Sequence, residues 1–173
     1  HFVAALEKSA DCPGCPPDYP FFPLGSGRME PAQKKLYREF CEQTLTPSAA
    51  DWLEAGYFTL FGEELYRLPA CTLPCDRLKV VRSGLHLGSF RKNRFEPAHA
   101  LAVALRAEDF LQTVPVTMEQ AEGYLRGETL DIPADKGWLG VVLQEAGGRY
   151  PLGWGKSDGK RVKNHYPKGL RRL

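Results

Sequence analysis

The amino-acid sequence predicts an α+β fold, a small mixed α/β unit followed by a small β-barrel. The 173 residues allow one ordinary domain or two small ones, and 43% hydrophobic residues suffice for real cores. The 14 prolines and 17 glycines require many turns and therefore short elements. Helical patterns occur between residues 31 and 126, whereas short apolar runs with glycine turns dominate residues 137–163.

The first unit should follow a linker at residues 10–28, where prolines and glycines leave no periodicity. Residues 31–44 predict a helix, because proline suits its first turn and apolar residues recur at helical spacing. Residues 48–54 suggest a further short turn. Residues 57–68 predict a β-hairpin, since two apolar or alternating runs flank a turn containing Gly62.

In the middle of the chain, a strand is predicted before a basic segment and a helix after it. Residues 78–82 read as a third strand, and the glycines within residues 84–88 suggest a bend or a close backbone approach. Residues 89–94 are basic and expected to be exposed. Residues 97–105 predict a helix, because proline precedes a run of alanines and leucines.

The second unit should contain one short helix and several strands. Thr117 and Gln120 have capping-box spacing, so a helix is expected to open here and to end at Gly127. Glycine turns then separate strand-like runs at residues 137–143, 150–155 and 161–163. This order indicates a small barrel, with Trp138 and Trp154 in its core or wall.

Charge is distributed unevenly although the formal net charge is only +2. The segments 76–94 and 155–173 carry net charges of +5 and +6, and the segments 1–75 and 95–154 carry −4 and −5. If folding joins the two basic segments, they would form a positive face of the kind that binds a phosphate backbone. Two separate solvated loops remain the alternative.

The five cysteines do not indicate a disulfide framework, because their number is odd and no secretory signal precedes them. Cys12, Cys15, Cys71 and Cys75 could supply four thiolates to zinc, but their spacing is only a weak signal. We therefore expect reduced thiols, no metal site and a cytoplasmic protein. No apolar run approaches the roughly 18 residues of a membrane span, so no membrane partner is expected.

No combination of residues indicates catalysis. The four histidines, at positions 1, 86, 99 and 165, lack metal-ligand spacing, and no glycine-rich loop stands between a strand and a helix to hold a nucleotide. His99 is expected to be a packed or capping residue. These observations predict a binding module with no catalytic residues.

The predicted RNA-binding side chains lie in the two basic segments, where cations can neutralise phosphates and polar or aromatic groups can contact unpaired bases. They are Arg91, Lys92, Asn93, Arg94, Lys156, Arg161, Lys163, Asn164, His165, Tyr166, Lys168, Arg171 and Arg172.

Several motifs resemble one known family. They are "PLGWGK" (151–156), "KNHYPKGLR" (163–171), "GLHLGSFRKNRFEPAHALAVAL" (84–105), "YLRGETL" (124–130) and "GWLGVVL" (137–143), with "FCEQTL" and "LYRLP" earlier in the chain. Together they resemble the RsmF-type branch of the Sun-family RNA cytosine-5 methyltransferases, over about residues 30–173. The opening "HFVAAL" is similar to the last strand of that family's catalytic domain.

The resemblance implies three segments. Residues 1–22 would be the end of a catalytic domain and a linker, residues 23–105 a first C-terminal domain, and residues 106–173 a PUA-like RNA-binding domain. The chain would then be a fragment that binds no cofactor itself, because S-adenosylmethionine and the catalytic cysteines belong to the missing catalytic domain. Cys75 follows a proline as one family cysteine does, but it lacks the Ser/Gly-rich continuation, so the role is not transferred.

The resemblance also implies a function and partners. The parent enzyme would methylate cytosines of small-subunit ribosomal RNA, and this chain would position that substrate and contact its own catalytic domain. Three alternatives stay open: a protein-contact module that docks the catalytic domain or a ribosomal protein, a module that binds tRNA, and an independent enzyme using Cys12 and Cys15 or a zinc cluster.

Overall fold

A computed structural model describes residues 27–68 and 84–172 of the chain. Within these residues four α-helices and two four-stranded sheets form an α+β fold, as predicted. No helix in the two described ranges is long and apolar enough to cross a membrane. Outside the described residues lie positions 10–26 of the predicted linker, the strand at 78–82, Cys12, Cys15, Cys71 and Cys75.

The first sheet is antiparallel, with its strands in chain order, and two helices precede it. Its elements are α1 (Pro31–Thr44), α2 (Pro47–Glu54), β1 (Tyr57–Phe61), β2 (Glu64–Leu68), β3 (Leu85–Arg91) and β4 (Arg94–Pro97). Helix α1 and the β1–β2 hairpin confirm the predicted helix and hairpin. At the start of α1, the Gln33 side chain accepts a hydrogen bond from the Glu30 backbone N–H at 2.9 Å.

The second sheet is mixed, because its first two strands are parallel and the others antiparallel. Its elements are α3 (His99–Ala104), a 3₁₀ turn (Ala107–Asp109), β5 (Thr113–Val116), α4 (Met118–Arg126), β6 (Gly137–Glu145), β7 (Gly148–Ser157), β8 (Val162–Asn164) and a 3₁₀ turn (Lys168–Leu170). Helix α4 confirms the capping box, since the Gln120 N–H donates to Thr117 Oγ1 at 3.3 Å. Gly127 ends α4 with a left-handed φ of 99°.

The structure corrects several predicted boundaries. Residues 48–54 belong to a full helix, α2, rather than to a short turn. The glycine-containing segment 84–88 and the basic segment 89–94 form the hairpin of β3 and β4 rather than a bend. The predicted close backbone approach is confirmed, because a Cβ at Gly88 would clash with the Glu96 carbonyl oxygen. Pro97 ends β4, so α3 begins two residues later, at His99. Strand β5 was not predicted, because a four-residue strand interrupted by proline carries almost no pattern.

Trp154 of β7 joins the two sheets. It is 1% exposed and belongs to the same apolar core as α1, β3 and α3. Its ring packs edge-on against Phe40 and Phe110, with centroids 5.6 and 5.2 Å away. Its indole N–H donates to the carbonyl of Ala98 at 2.9 Å. The side chains before and after the predicted boundary at residue 106 therefore share one core, and a second cluster surrounds Tyr124 between α4 and β6.

Candidate nucleic-acid interface

Three residues form a row across the second sheet. Trp138 of β6 lies directly opposite Lys156 of β7, and Lys156 lies directly opposite Lys163 of β8. Residues paired in this way project from the same face of a sheet, so the three side chains are neighbours. We call Trp138, Lys156 and Lys163 the cation row. The row is a direct consequence of strand register.

The two lysines of the row repel each other, and neither forms an ion pair within 4 Å of a carboxylate among residues 27–68 and 84–172, although the charge of Lys163 lowers the pKa of Asp158. Like charges directly opposite in an antiparallel pair are destabilising. Lys156 Nζ lies 4.9 Å from the centroid of the Trp138 ring, a cation–π contact that partly offsets this repulsion. An anion bound between the two ammonium groups would offset it further.

The β3–β4 turn belongs to the other basic segment, residues 76–94. Lys92 and Asn93 have left-handed φ values of 42° and 59°, as a two-residue hairpin turn requires. Such φ values are unusual for lysine. Residues 91–94 at the turn are all exposed. Arg91 and Arg94 are not free, however. Arg91 donates to Glu63 Oε2 and Glu64 Oε1 at 2.8 and 3.0 Å, and Arg94 lies 2.6 Å from Glu96 Oε1.

A cleft of about 520 Å³ brings the two basic segments together. One wall is the exposed side of α1, and the other is formed by the β3–β4 turn and the start of the second sheet. Its lining residues include Glu39, Phe40, Gln43, Asn93, Arg94, Lys136, Trp138 and Lys156. The convergence expected from the charge distribution is therefore present for Arg94 and Lys156.

His165 lies beside the cation row. Its ring centroid is 4.5 Å from that of Trp138, in an edge-on arrangement. Packing lowers the pKa of His165 below its ordinary value, and the positive charges of Lys156, Arg94 and Lys163 lower it further, against the opposing effect of Glu96. The imidazole is therefore neutral near pH 7, where it can donate and accept hydrogen bonds.

Asn164 and Tyr166 are held by the fold. The Asn164 amide donates to the backbone carbonyls of Tyr124 and Glu128 at 2.7 and 2.9 Å, and its oxygen accepts from the Tyr166 N–H at 2.8 Å. The Tyr166 ring packs edge-on against His99 and Tyr124, with centroids 5.0 and 5.6 Å away. Both side chains thus position the segment that carries Lys163 and His165.

The C-terminal end of the basic segment 155–173 lies against α4. The Arg172 N–H donates to the Leu125 carbonyl at 3.1 Å, and Arg171 covers Gly127 at the C-terminal end of the helix. A guanidinium is favourable there, because the helix dipole leaves partial negative charge at the C-terminus. Lys168, in the last 3₁₀ turn, is exposed. Within the described parts of the chain, no hydrogen bond or ion pair joins Lys168, Arg171 or Arg172 to a residue that lines the cleft.

The β7–β8 turn carries exposed cations around one carboxylate. Asp158 Oδ1 accepts hydrogen bonds from the backbone N–H groups of Lys160 and Arg161 at 3.0 and 3.1 Å. These bonds lower the pKa of Asp158, and the charges of Lys163 and Arg161 lower it further. The turn is thereby fixed, while the Arg161 side chain projects into solvent.

Sequence reasoning missed the α1 wall, Lys136 and the role of Trp138. Alternation along β6 shows that Trp138 and Gly140 share a face, but only the register with β7 and β8 places Trp138 beside two lysines. The α1 side chains are more than 90 residues from Lys136 and Trp138 in sequence, so no local pattern could indicate their contribution.

The described residues contain no constellation that suggests catalysis. Cys41, their one cysteine, is buried against Tyr37 and Phe40, and burial raises the pKa of its thiol to about 11. No group of three or more metal-ligating side chains occurs within residues 27–68 and 84–172. His99 packs beneath Tyr166 as expected, and burial lowers its pKa.

Comparison with known proteins relates the chain to one family in two adjoining matches. A family model described as the RsmF rRNA methyltransferase first C-terminal domain matches residues 39–105. A second, described as the methyltransferase RsmF PUA domain, matches residues 111–172. The second sheet with α4 is therefore a PUA-like unit, as the resemblance implied.

Curated relatives agree with this assignment. A protein of Shewanella baltica (strain OS223), named ribosomal RNA small subunit methyltransferase F, is 29% identical over 184 residues, covering 98% of this chain and 35% of the relative. Proteins of the same name from Erwinia tasmaniensis and Escherichia coli are 27% and 24% identical, each covering 98% of this chain and 34% of the relative. The chain thus spans about a third of the length of the relatives it matches.

Proposed function

Since the chain belongs to the RsmF rRNA methyltransferase family, with its first C-terminal domain and its PUA domain, we propose that it binds RNA and positions it for methylation. The cation row carries this proposal. Two unpaired lysines held opposite each other, beside a half-buried tryptophan and a neutral histidine, form a suitable surface for a ribose-phosphate chain.

We group the predicted RNA-binding residues by what their side chains contact. Lys156, Lys163 and His165, with Arg94 and Asn93 across the cleft, are proposed to contact RNA directly. Asn164 and Tyr166 are proposed to act indirectly, because their polar or aromatic groups already contact the protein. Arg91 is proposed to fix the β3–β4 turn through Glu63 and Glu64.

The remaining exposed cations are proposed to extend the surface by long-range attraction. They are Lys92, Arg161, Lys168 and Arg172. Arg171, which is half-buried over Gly127, is proposed to act in the same way. Such charges contribute to affinity mainly at low salt, because screening is nearly complete beyond a Debye length of about 8 Å at physiological ionic strength.

Small-subunit ribosomal RNA is the proposed ligand, in keeping with the names of the relatives, and the cytoplasm is the corresponding compartment. We propose residues 23–105 and 106–173 as two domains built on a common core. We propose that methyl transfer and S-adenosylmethionine binding occur in a catalytic domain that would contact this chain in cis. No residue here is assigned to that cofactor, because no glycine-rich loop links a strand to a helix in the described ranges.

The test is RNA binding by the double variant K156A/K163A across a salt series. Fluorescence anisotropy with a labelled fragment of small-subunit rRNA should show weaker binding and a log K against log salt slope reduced by roughly 0.7–0.9 per lost contact. A control variant, Lys34→Ala, removes one exposed lysine of α1 outside the cation row and gives the slope change expected for a single non-contacting charge. An unchanged slope in the double variant would refute the proposed role.

The same assay separates the alternatives. Equal affinity for a tRNA and for the rRNA fragment would favour a tRNA ligand or a general RNA surface. Absence of salt-sensitive binding to either RNA would favour the protein-contact module.

A further inference from the structure

We infer that the cleft between α1 and the second sheet binds one unpaired RNA nucleotide, and that it favours a base with an exocyclic amino group over uracil. The inference rests on the proposed RNA-binding function and assigns a site and a base preference to it. The cleft's shape, its two chemically different walls and its position beside the cation row carry the inference.

The cleft has the size and floor that an unstacked base needs. Its volume of about 520 Å³ falls within the range of small-molecule sites, about 300–1,000 Å³. Apolar groups of Leu36, Phe40 and Phe95 form part of its lining, and Trp138, with the Lys156 ammonium over its ring, adds an aromatic side chain. Stacking of a base on an aromatic side chain is sequence-tolerant, because every base has a π-face. These features favour a base but do not select one.

The α1 wall can discriminate between bases. Glu39 and Gln43 are four residues apart and therefore adjacent on one side of the helix, where both line the cleft. Asn93 of the β3–β4 turn supplies a second amide from the opposite wall, next to Arg94. Amides both donate and accept hydrogen bonds, whereas a carboxylate only accepts. A carboxylate therefore favours cytosine, adenine or guanine, whose exocyclic amino groups donate. It disfavours uracil, because the one donor on that edge, N3–H, stands between two carbonyl oxygens that repel the carboxylate.

The opposite wall can bind the phosphate. Arg94, Lys136 and Lys156 line it, and Lys163 continues the positive charge along the cation row. Arg94 is the one of these four that has a carboxylate partner, Glu96, within the described residues. Because the acidic group lies on one wall and the cations on the other, a nucleotide has one favoured orientation, with its base edge towards α1 and its phosphate towards the second sheet.

Binding of five-nucleotide single-stranded RNAs tests the inference. Quenching of tryptophan fluorescence by oligo(C) or oligo(A) should occur at about tenfold lower concentration than quenching by oligo(U), as expected for one hydrogen bond to a charged group. Trp138→Phe should abolish most of the quenching. Trp52→Phe is its control, because Trp52 lies under Arg67 in the first sheet's unit and does not line the cleft.

Two glutamate variants test base selection separately from RNA binding. Glu39→Gln should reduce the preference over oligo(U) to about twofold or less, because an amide can also accept or donate at the uracil edge. Glu42→Gln removes the same charge from α1 outside the cleft and should leave the preference unchanged. Thermal unfolding of each variant verifies that the fold is retained.

The outcomes separate this inference from the proposed function. Equal affinity for all three oligonucleotides, or a preference that survives Glu39→Gln, overturns the nucleotide site while K156A/K163A still weakens RNA binding. If no RNA binds and K156A/K163A has no effect, both the site and the proposed function fail.

Discussion

Replacing Lys163 with glutamine should make the protein more stable and, at the same time, weaken its binding to RNA. Lys163 lies directly opposite Lys156, and no carboxylate within the described residues pairs with either. Glutamine keeps a long polar side chain but removes one of the two repelling charges. The opposite directions of the two effects are what a binding surface predicts, because its charges are arranged for a ligand and not for the free protein.

The size of the stabilisation follows from Coulomb's law. Cβ atoms of directly opposed residues are about 4.5–5.5 Å apart, so we take about 6 Å as the separation of the two charges. At that distance in water two unit charges repel by roughly 0.7 kcal/mol. Screening at physiological ionic strength, with a Debye length of about 8 Å, reduces this to roughly 0.3 kcal/mol. In about 10 mM salt most of the repulsion remains. Lys163→Gln should therefore raise the melting temperature by about 1–2 °C at low salt and by less at high salt.

Thermal unfolding at two salt concentrations and anisotropy with the rRNA fragment measure the two effects. The slope of log K against log salt should fall by roughly 0.7–0.9. Lys34→Gln makes the same change of net charge on α1 and corrects for the general effect of charge. A Lys163→Gln protein that is less stable than the parent at low salt, or whose binding slope is unchanged, would show that the lysine pair is not arranged for phosphate.

Three further predictions concern the fold. Trp154→Phe leaves the carbonyl of Ala98 without its donor and should cost about 1–3 kcal/mol of unfolding free energy, measured in urea; no loss would show that this hydrogen bond is not important. Gly127→Ala imposes a left-handed φ on alanine and places its Cβ 2.5 Å from the Arg171 guanidinium carbon. The free energy of unfolding in urea should therefore fall by about 1 kcal/mol or more. An unchanged urea midpoint would contradict this geometry. Burial lowers the pKa of His99, so the unfolded chain binds a proton more readily than the folded protein, and stability should fall as pH drops below about 6.5. His99→Gln should flatten this decline, measured as urea midpoints from about pH 8 to 5. An equal decline in both proteins would show that other groups cause it.

Local chemistry in the sequence predicted the elements that depend on it. The helix at Pro31–Thr44 and the capped helix at Met118–Arg126 follow from a proline in the first turn and from a Thr–Gln box. The β1–β2 hairpin follows from a glycine turn between apolar runs. Strand β5 was missed because its parallel partner, β6, lies more than 20 residues away and supplies the order that its own residues do not encode.

The candidate site was predicted only in outline. Clustered charge indicated the basic segments, but pairing decides which cations are available, and Arg91 is engaged by two glutamates from the β1–β2 hairpin. Asn164 and Tyr166 resembled surface groups in the sequence, yet they contact α4 and α3 side chains or backbone. These contacts depend on the register of distant strands, which no local pattern specifies.

The position of Trp154 constrains how the two matched segments can vary. A strand of the PUA-like unit supplies a ring whose neighbours, Phe40 and the Ala98 carbonyl, come from the preceding segment. A change of volume on one side must be matched on the other, because close-packed interiors do not absorb misfits. Exchanging either segment alone between distant family members should therefore yield poorly soluble hybrids unless the residues around this indole are exchanged with it.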